Sequence, residues 1–492
     1  MTIERLREAT AHAASTNGSA QAELGEFGFF IDGQHHHSQD AVEVRSPYDD
    51  ALVAVVHRAG PVNIEYAIEC AVRAFETTRK LPTWKRSEVL EKISAGIAAR
   101  REEFARTIAL EAGKPIRTAR AEVDRAVFTF KVAAEETRRI YGEIVPLDWL
   151  PGNDGRVGQV RRVPRGPVVG ISPFNFPLNL VAHKVAPALA AGCPIILRPA
   201  TQTPVSSFKL AQLAVEAGWP AAGIAVVPCK TKDADPLVED DRIKLLTFTG
   251  WDLKRRAGRK FVTLELGGNA GNIIHKDADV PYAAERVTFG GFTFAGQSCI
   301  SVQRVYVHGD IYEGFVDDLI PRVNKLKVGN PLDEATDVGP LIDKGAADRL
   351  GAWLDEAKAG GAEVLAGGQR EGNIWQPTVL ASVDERMRIS CQEAFGPFID
   401  LFRFSDVHDA IRRVNDSEYG LQAGFFTNDW QLAEEAFSEI EVGGLMINAG
   451  STYRIDHMPY GGVKASGFGR EGLRYAIEEM TEMRLLTFNR RS

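Results

Sequence analysis

Two short stretches of the chain carry side chains able to do covalent chemistry. In Thr263-Leu-Glu-Leu-Gly-Gly-Asn-Ala-Gly271 a carboxylate, Glu265, stands one residue before a Gly-Gly pair, and in Phe294-Ala-Gly-Gln-Ser-Cys-Ile300 a thiol, Cys299, closes a run of small residues. A thiol is the most nucleophilic common side chain near neutral pH, but it needs a base or positive potential nearby to supply thiolate. Glu265 could be that base, or could act later on a water. Cys70 falls on a helical apolar face, Cys193 abuts a strand, and Cys229 and Cys391 lie in ordinary loops. Only Cys299 has Ala295, Gly296 and Ser298 around it, which let a substrate and a backbone N–H approach the sulfur. Asn175, in Pro173-Phe-Asn-Phe-Pro177, follows a predicted strand, where asparagine ordinarily caps its own turn.

Residues 260–266 read as a strand that delivers Glu265 to its turn, and the thiol closes a loop. Upstream, strands at 168–171, 195–197, 224–227, 245–248 and 261–264 alternate with helices at 181–191 and 205–217. This is the pattern of a parallel sheet with helical crossovers, which binds dinucleotides beyond the carboxyl ends of its strands. A second α/β block follows Cys299, with strands at 304–308, 363–366, 378–380, 423–426 and 444–447. Its helices are expected at 311–326, 345–359, 407–415 and 430–439. Before the first sheet, apolar spacing predicts helices over 62–79, 86–111 and 116–141, and two short strands over 29–56 around Asp32-Gly33. Residues 1–24 read as a short amphipathic helix and lead.

A length of 492 residues exceeds one core, so two or three domains are expected. A net charge of -8, with one dense basic run at Lys254-Arg-Arg-Ala-Gly-Arg-Lys260, argues against a nucleic-acid partner. Five scattered cysteines with no Cys-x-x-Cys imply reduced thiols and a cytoplasmic protein, and no zinc spacing is present. His35-His36-His37 lies on a predicted hairpin, where three adjacent side chains cannot all face one ion, so no metal site is expected. No apolar run has membrane-spanning length, and the N-terminus has no signal pattern. Gly467-Phe-Gly-Arg-Glu-Gly472 matches Gly-x-Gly-x-x-Gly but lacks the preceding strand that a phosphate loop requires.

The two opening stretches, together with Pro173-Phe-Asn-Phe-Pro177, Glu393-Ala-Phe-Gly-Pro397 and Pro459-Tyr-Gly-Gly-Val-Lys464, resemble the aldehyde dehydrogenase superfamily over roughly residues 29–488. The resemblance implies an α/β fold. A Rossmann-like nucleotide-binding domain would span 1–143 and 164–264, and a second α/β catalytic domain 265–474. A small β oligomerisation arm would comprise 144–163 and 475–492, in a homodimer or homotetramer. It implies non-acylating, NAD(P)-dependent oxidation of an aldehyde to its carboxylic acid, with Cys299 as nucleophile, Asn175 as oxyanion donor and Glu265 as the base that hydrolyses the thioester.

Cofactor contacts are expected at Ser172, Pro173, Phe174, Arg198, Thr201, Gly250, Trp251, Leu266, Gly267, Glu393 and Phe395. Arg198 stands where the family usually has lysine, and Thr201 where NAD-preferring members often have glutamate, so NADP should bind at least as well as NAD. Trp251 follows Gly250 where the family usually continues with a hydroxyl residue. The interval to Glu265 is also several residues short, which predicts weakened nucleotide binding. Arg454 and His457, with Arg304, would receive a small hydroxylated or anionic aldehyde. Two other readings are a cofactor-poor binding protein on the same scaffold and a cysteine-dependent esterase.

Overall fold

A computed structural model describes residues 22–248 and 256–489. Gly250, Trp251 and the expected helix over the first residues lie outside the described residues.

The first sheet has eight strands, in the order Gly467–Phe468, Phe261–Glu265, Leu245–Phe248, Val168–Ile171, Ile195–Arg198, Ile224–Val226, Phe29–Ile31 and Gln34–His36. The five from Phe261–Glu265 to Ile224–Val226 pair in parallel, and their largely apolar sequences are those of strands covered on both faces. Chain order runs outward in both directions from Val168–Ile171. The gap between it and Leu245–Phe248 is therefore the switch point at which such sheets bind ligands. Glu265 ends the next strand over.

Helices Pro61–Thr78, Thr83–Ala99, Arg101–Ala112 and Ile116–Thr137 precede this sheet in the chain. The expected single helix over 86–111 is two, because Arg100 leaves helical geometry at φ -109° and ψ 26°. The break allows Leu90 and Ile93 before it, and Phe104 and Ile108 after it, to enter one core. The two strands expected over 29–56 are four, and Glu26–Phe27 precedes them. Only the Asp32-Gly33 hairpin was legible; Ala41–Arg45 and Leu52–His57 pair with each other in a separate sheet beside Glu26–Phe27, a division that no local pattern marks. Along this hairpin His35 bonds the Gly28 carbonyl, His36 stacks on Phe29, and His37 faces His57.

The second sheet runs Glu363–Ala366, Thr378–Ala381, Phe398–Phe404, Val302–His308, Ala270–Ile274, Gln422–Phe426 and Gly444–Ile447, parallel except at its first strand. Ala270–Ile274 and Phe398–Phe404, both internal to the sheet, were not anticipated. Each follows a signature motif that reads as loop, and Ala270–Ile274 is buried throughout, so no alternation marks it. A third, antiparallel sheet joins Thr481–Asn489, Arg156–Pro164 and Glu143–Pro146. The helix Leu473–Glu479 returns to the first core, where Leu473 and Ile477 are buried among residues of Ile116–Thr137 and Asn179–Ala191. Among the described residues no helix is long and apolar enough to cross a membrane.

Candidate active site

The strand Phe261–Glu265 pairs on its outer side with Gly467–Phe468, and Glu265 lies opposite Gly467. The Gly-x-Gly-x-x-Gly run thus begins as an edge strand that holds Glu265 in place. Gly267 and Gly268 are glycine for want of space. A Cβ on Gly267 would strike the Glu393 carboxylate, and one on Gly268 would strike the Cys299 carbonyl oxygen. The glutamate stretch and the thiol stretch are therefore packed backbone against backbone.

Cys299 is delivered by a helix, Val280–Phe292, that the sequence reading left unassigned although Asp279 caps it by accepting from the Tyr282 N–H. A tight turn follows, in which Phe294 and Ala295 both adopt φ +52°. Buried Gln297 secures it: its amide donates to the carbonyls of Phe294 and Pro340, and its Oε1 accepts from the Ile342 N–H at 2.9 Å. This gives the glutamine two residues before Cys299 a physical reason.

Cys299, Glu265 and Asn175 line one cavity of about 190 Å3 with Pro173, Leu180, Leu266, Gly267, Glu393 and Phe395. Asn175 donates from Nδ2 to the Gln297 carbonyl at 3.2 Å, while its backbone carbonyl accepts from Lys114 Nζ at 2.7 Å. Lys114, which sequence reasoning missed, is fully buried, paired with Glu122 and set against the faces of Phe176 and Phe294. Its only local signal was a lysine between Gly113 and Pro115 at a helix break.

Burial, with Glu265 beside it, pushes the Cys299 thiol up to about 12, against the opposing pull of Tyr460 and Arg454. Burial and the neighbouring Glu471 raise Glu265 to about 7, and burial raises Glu393 to about 7. At neutral pH the site thus presents a protonated thiol beside a carboxylate poised to exchange a proton.

The model of the aldehyde dehydrogenase family matches residues 34–486. The chain belongs to the aldehyde dehydrogenase family.

It is 44% identical over 473 residues to a 3-sulfolactaldehyde dehydrogenase of Priestia aryabhattai, covering 95% of this chain and 99% of that one. It superposes at a TM-score of 0.93, with 42% identity, on aldehyde dehydrogenase 21 from Physcomitrella patens in complex with succinate, covering 96% and 99% of the two chains. A glyceraldehyde-3-phosphate dehydrogenase from Methanocaldococcus jannaschii complexed with NADP superposes at 0.88, with 36% identity and coverage of 92% and 100%. The protein is accordingly an NAD(P)-dependent oxidoreductase of aldehydes, which favours the main sequence reading over a binding scaffold or an esterase.

The other expected cofactor positions of this aldehyde dehydrogenase divide. Phe174 and Phe395 meet edge to face at 5.7 Å, and buried Ser172 opens the loop that ends in Asn175. Arg198 ends its strand with Nη2 on Thr231 Oγ1 at 3.2 Å and its buried Nε unpartnered. Thr201 is exposed and lines a separate hollow with Ser46, Glu111 and Lys344. Glu393 packs against Gly267 and accepts from the Gly268 N–H at 2.8 Å, so a carboxylate able to take ribose hydroxyls lines the cavity that holds Cys299.

The expected anion receptors also separate. Arg304 is not available to a substrate: it is buried and donates to the carbonyls of Asn269, Arg413 and Val414. His457 is exposed and edge-on to Phe128, outside the cavity lining. Arg454 is also outside the cavity lining but lies directly behind Glu265, with Nη1 3.3 Å from it, Nη2 3.0 Å from Glu471, and a buried, unpartnered Nε.

Proposed function

We propose that this aldehyde dehydrogenase oxidises an aldehyde of three or four carbons bearing an anionic group at its far end. The observation that carries the reading is Arg454, a buried guanidinium beside Glu265 with one N–H still unpartnered. Lys184 and Arg454 face Glu471 and Glu265 in one buried cluster. While Glu265 holds its proton, one positive charge there is uncompensated, which favours an anion. Three of the related proteins support the same chemistry, since sulfolactaldehyde, glyceraldehyde 3-phosphate and the product succinate all carry one, whereas the lactaldehyde named for other relatives does not.

In this reading Cys299 gives its proton to Glu265 and its sulfur bonds the aldehyde carbon. The Asn175 amide and the Cys299 N–H hold the oxyanion. Glu393 would hold ribose hydroxyls, with Pro173, Leu266, Gly267 and Phe395 around the ring and Arg198 toward the adenosine. NAD(P), when bound, accepts the hydride. Glu265 releases that proton to solvent and then draws one from the water that attacks the thioester; the Cys299 sulfur departs and takes the proton back, and the free acid leaves.

Arg198 in place of lysine supports NADP binding at least as well as NAD. The proposed nucleotide-binding domain spans 1–143 and 164–264, the catalytic domain 265–474, and the arm 144–163 and 475–492. Exposed Ile144, Met483, Leu485, Leu486 and Phe488 on the arm support assembly as a dimer or tetramer.

The test is a panel of three- and four-carbon aldehydes, with and without a terminal anion, assayed with each nucleotide. Anionic members should exceed propanal in kcat/KM by about tenfold or more, the scale of a charge-assisted contact, and Arg454→Met should erase that margin. Equal turnover of propanal and the anionic aldehydes would sink the substrate assignment. Near-parent turnover by Cys299→Ala would remove the nucleophile.

A further inference from the structure

Tyr460 lies in the motif Pro459-Tyr-Gly-Gly-Val-Lys464. It is buried at 2% exposure, and its backbone is paired with that of Glu471 in both directions. Its ring packs with Ile300, Leu421 and Cys299. One face lies under the Arg454 guanidinium, 3.6 Å from the ring centroid. The hydroxyl oxygen is 3.1 Å from Cys299 Sγ.

We propose that Tyr460 is a further catalytic residue, whose hydroxyl donates to the Cys299 sulfur as it becomes thiolate and so sets how readily the nucleophile forms. This rests on the reading of Cys299 as the nucleophile. The two oxyanion donors, the Asn175 amide and the Cys299 N–H, serve the oxygen of the aldehyde, and neither serves the sulfur. A half-buried thiolate has lost part of its hydration, and a hydrogen bond to a charged acceptor is stronger than one to the neutral thiol. Tyr460 supplies that bond from a fixed position. The cation over its ring face draws electron density from the phenol and strengthens it as a donor.

The protons balance. Cys299 loses its proton to Glu265, Tyr460 keeps its own, and the sulfur lone pair then forms the C–S bond, which weakens the hydrogen bond. Burial and the neighbouring Cys299 and Glu265 raise Tyr460 well above the usual phenol range, so it stays protonated at every working pH.

The experiment reads Cys299 alkylation by iodoacetamide from pH 7 to pH 9, without nucleotide or aldehyde, locating the adduct by mass spectrometry. Tyr460→Phe keeps the ring and removes the hydroxyl, and Tyr460→Leu removes both. The proposal expects both variants to alkylate roughly tenfold more slowly than the parent at each pH, with kcat/KM falling in parallel. Alkylation of Tyr460→Phe at the parent rate, with only Tyr460→Leu impaired, would reduce Tyr460 to packing and overturn the proposal. Such a result beside an inactive Cys299→Ala leaves the nucleophile standing, whereas an active Cys299→Ala brings down both.

Discussion

Glu265 and Glu471 are buried in one cluster of ion pairs, yet their carboxyls are pushed in opposite directions. Burial raises both, but Lys184 and Arg454 more than offset it for Glu471, which is held low. Glu265 takes the upward shift, to about 7, from burial and from Glu471 itself. A base must be deprotonated to act, so the carboxylate fraction of Glu265 grows as pH rises through 7 and shrinks below it. Steady-state turnover is therefore expected to fall as pH drops through about 7. Glu265→Gln removes the acceptor of both the thiol proton and the water proton, so it should slow the pre-steady-state burst in stopped-flow as well as steady turnover, by about 10^2 to 10^4, the usual worth of a general base. A parent-like burst would take Glu265 out of thiol activation, and parent-like steady turnover would take it out of hydrolysis. The identity of Glu265 was readable in the chain, but the level of its pKa was not, because Glu471, Arg454 and Lys184 come from distant segments.

Among the elements, the short strand Gly467–Phe468 has the most direct bearing on the site. Gly467 sits at φ +145°, and a side chain there would run into the Leu264 carbonyl of the strand that carries Glu265. Gly467→Ala is expected to destabilise the fold by roughly 1–3 kcal/mol through strain and lost pairing. Hydrolysis should slow more than Cys299 alkylation does. Denaturant unfolding and the two rates check this, and parent-like stability with parent-like rates would remove the strand from any positioning role. The same element shows where sequence reading stopped. The run was denied a phosphate-loop role for lack of a preceding strand, but its partner strand lies some two hundred residues earlier, and no local pattern announces an antiparallel edge two residues long.

For the whole molecule, the arm leaves an edge strand, Thr481–Asn489, exposed along most of its length with apolar side chains upon it. Such an edge invites pairing with a second copy. Replacing Leu486 and Phe488 together by lysine is expected to lower the mass measured by light scattering from oligomer to monomer. The alkylation rate of Cys299 should change little, since neither residue lines the cavity. A parent already monomeric, or a variant of unchanged mass, would rule the arm out as the assembly surface.

The amino-acid sequence by itself determined the fold class and the family. Alternating apolar runs and helical periods are local properties of a chain, and five motifs in order are too specific to arise separately. It also nominated Cys299 and Glu265 from their flanking residues, and Asn175 through the family resemblance of Pro173-Phe-Asn-Phe-Pro177. Only the tertiary structure decided what surrounds them. It turned Arg304 inward to bond backbone carbonyls, brought Arg454 to Glu265, and seated Lys114 behind Asn175. It also set the Tyr460 hydroxyl against a sulfur 161 residues away in the chain. Helix and strand signals are periodic within a segment, whereas hydrogen bonds, charge compensation and burial depend on which distant segments share a space, and that is settled by packing.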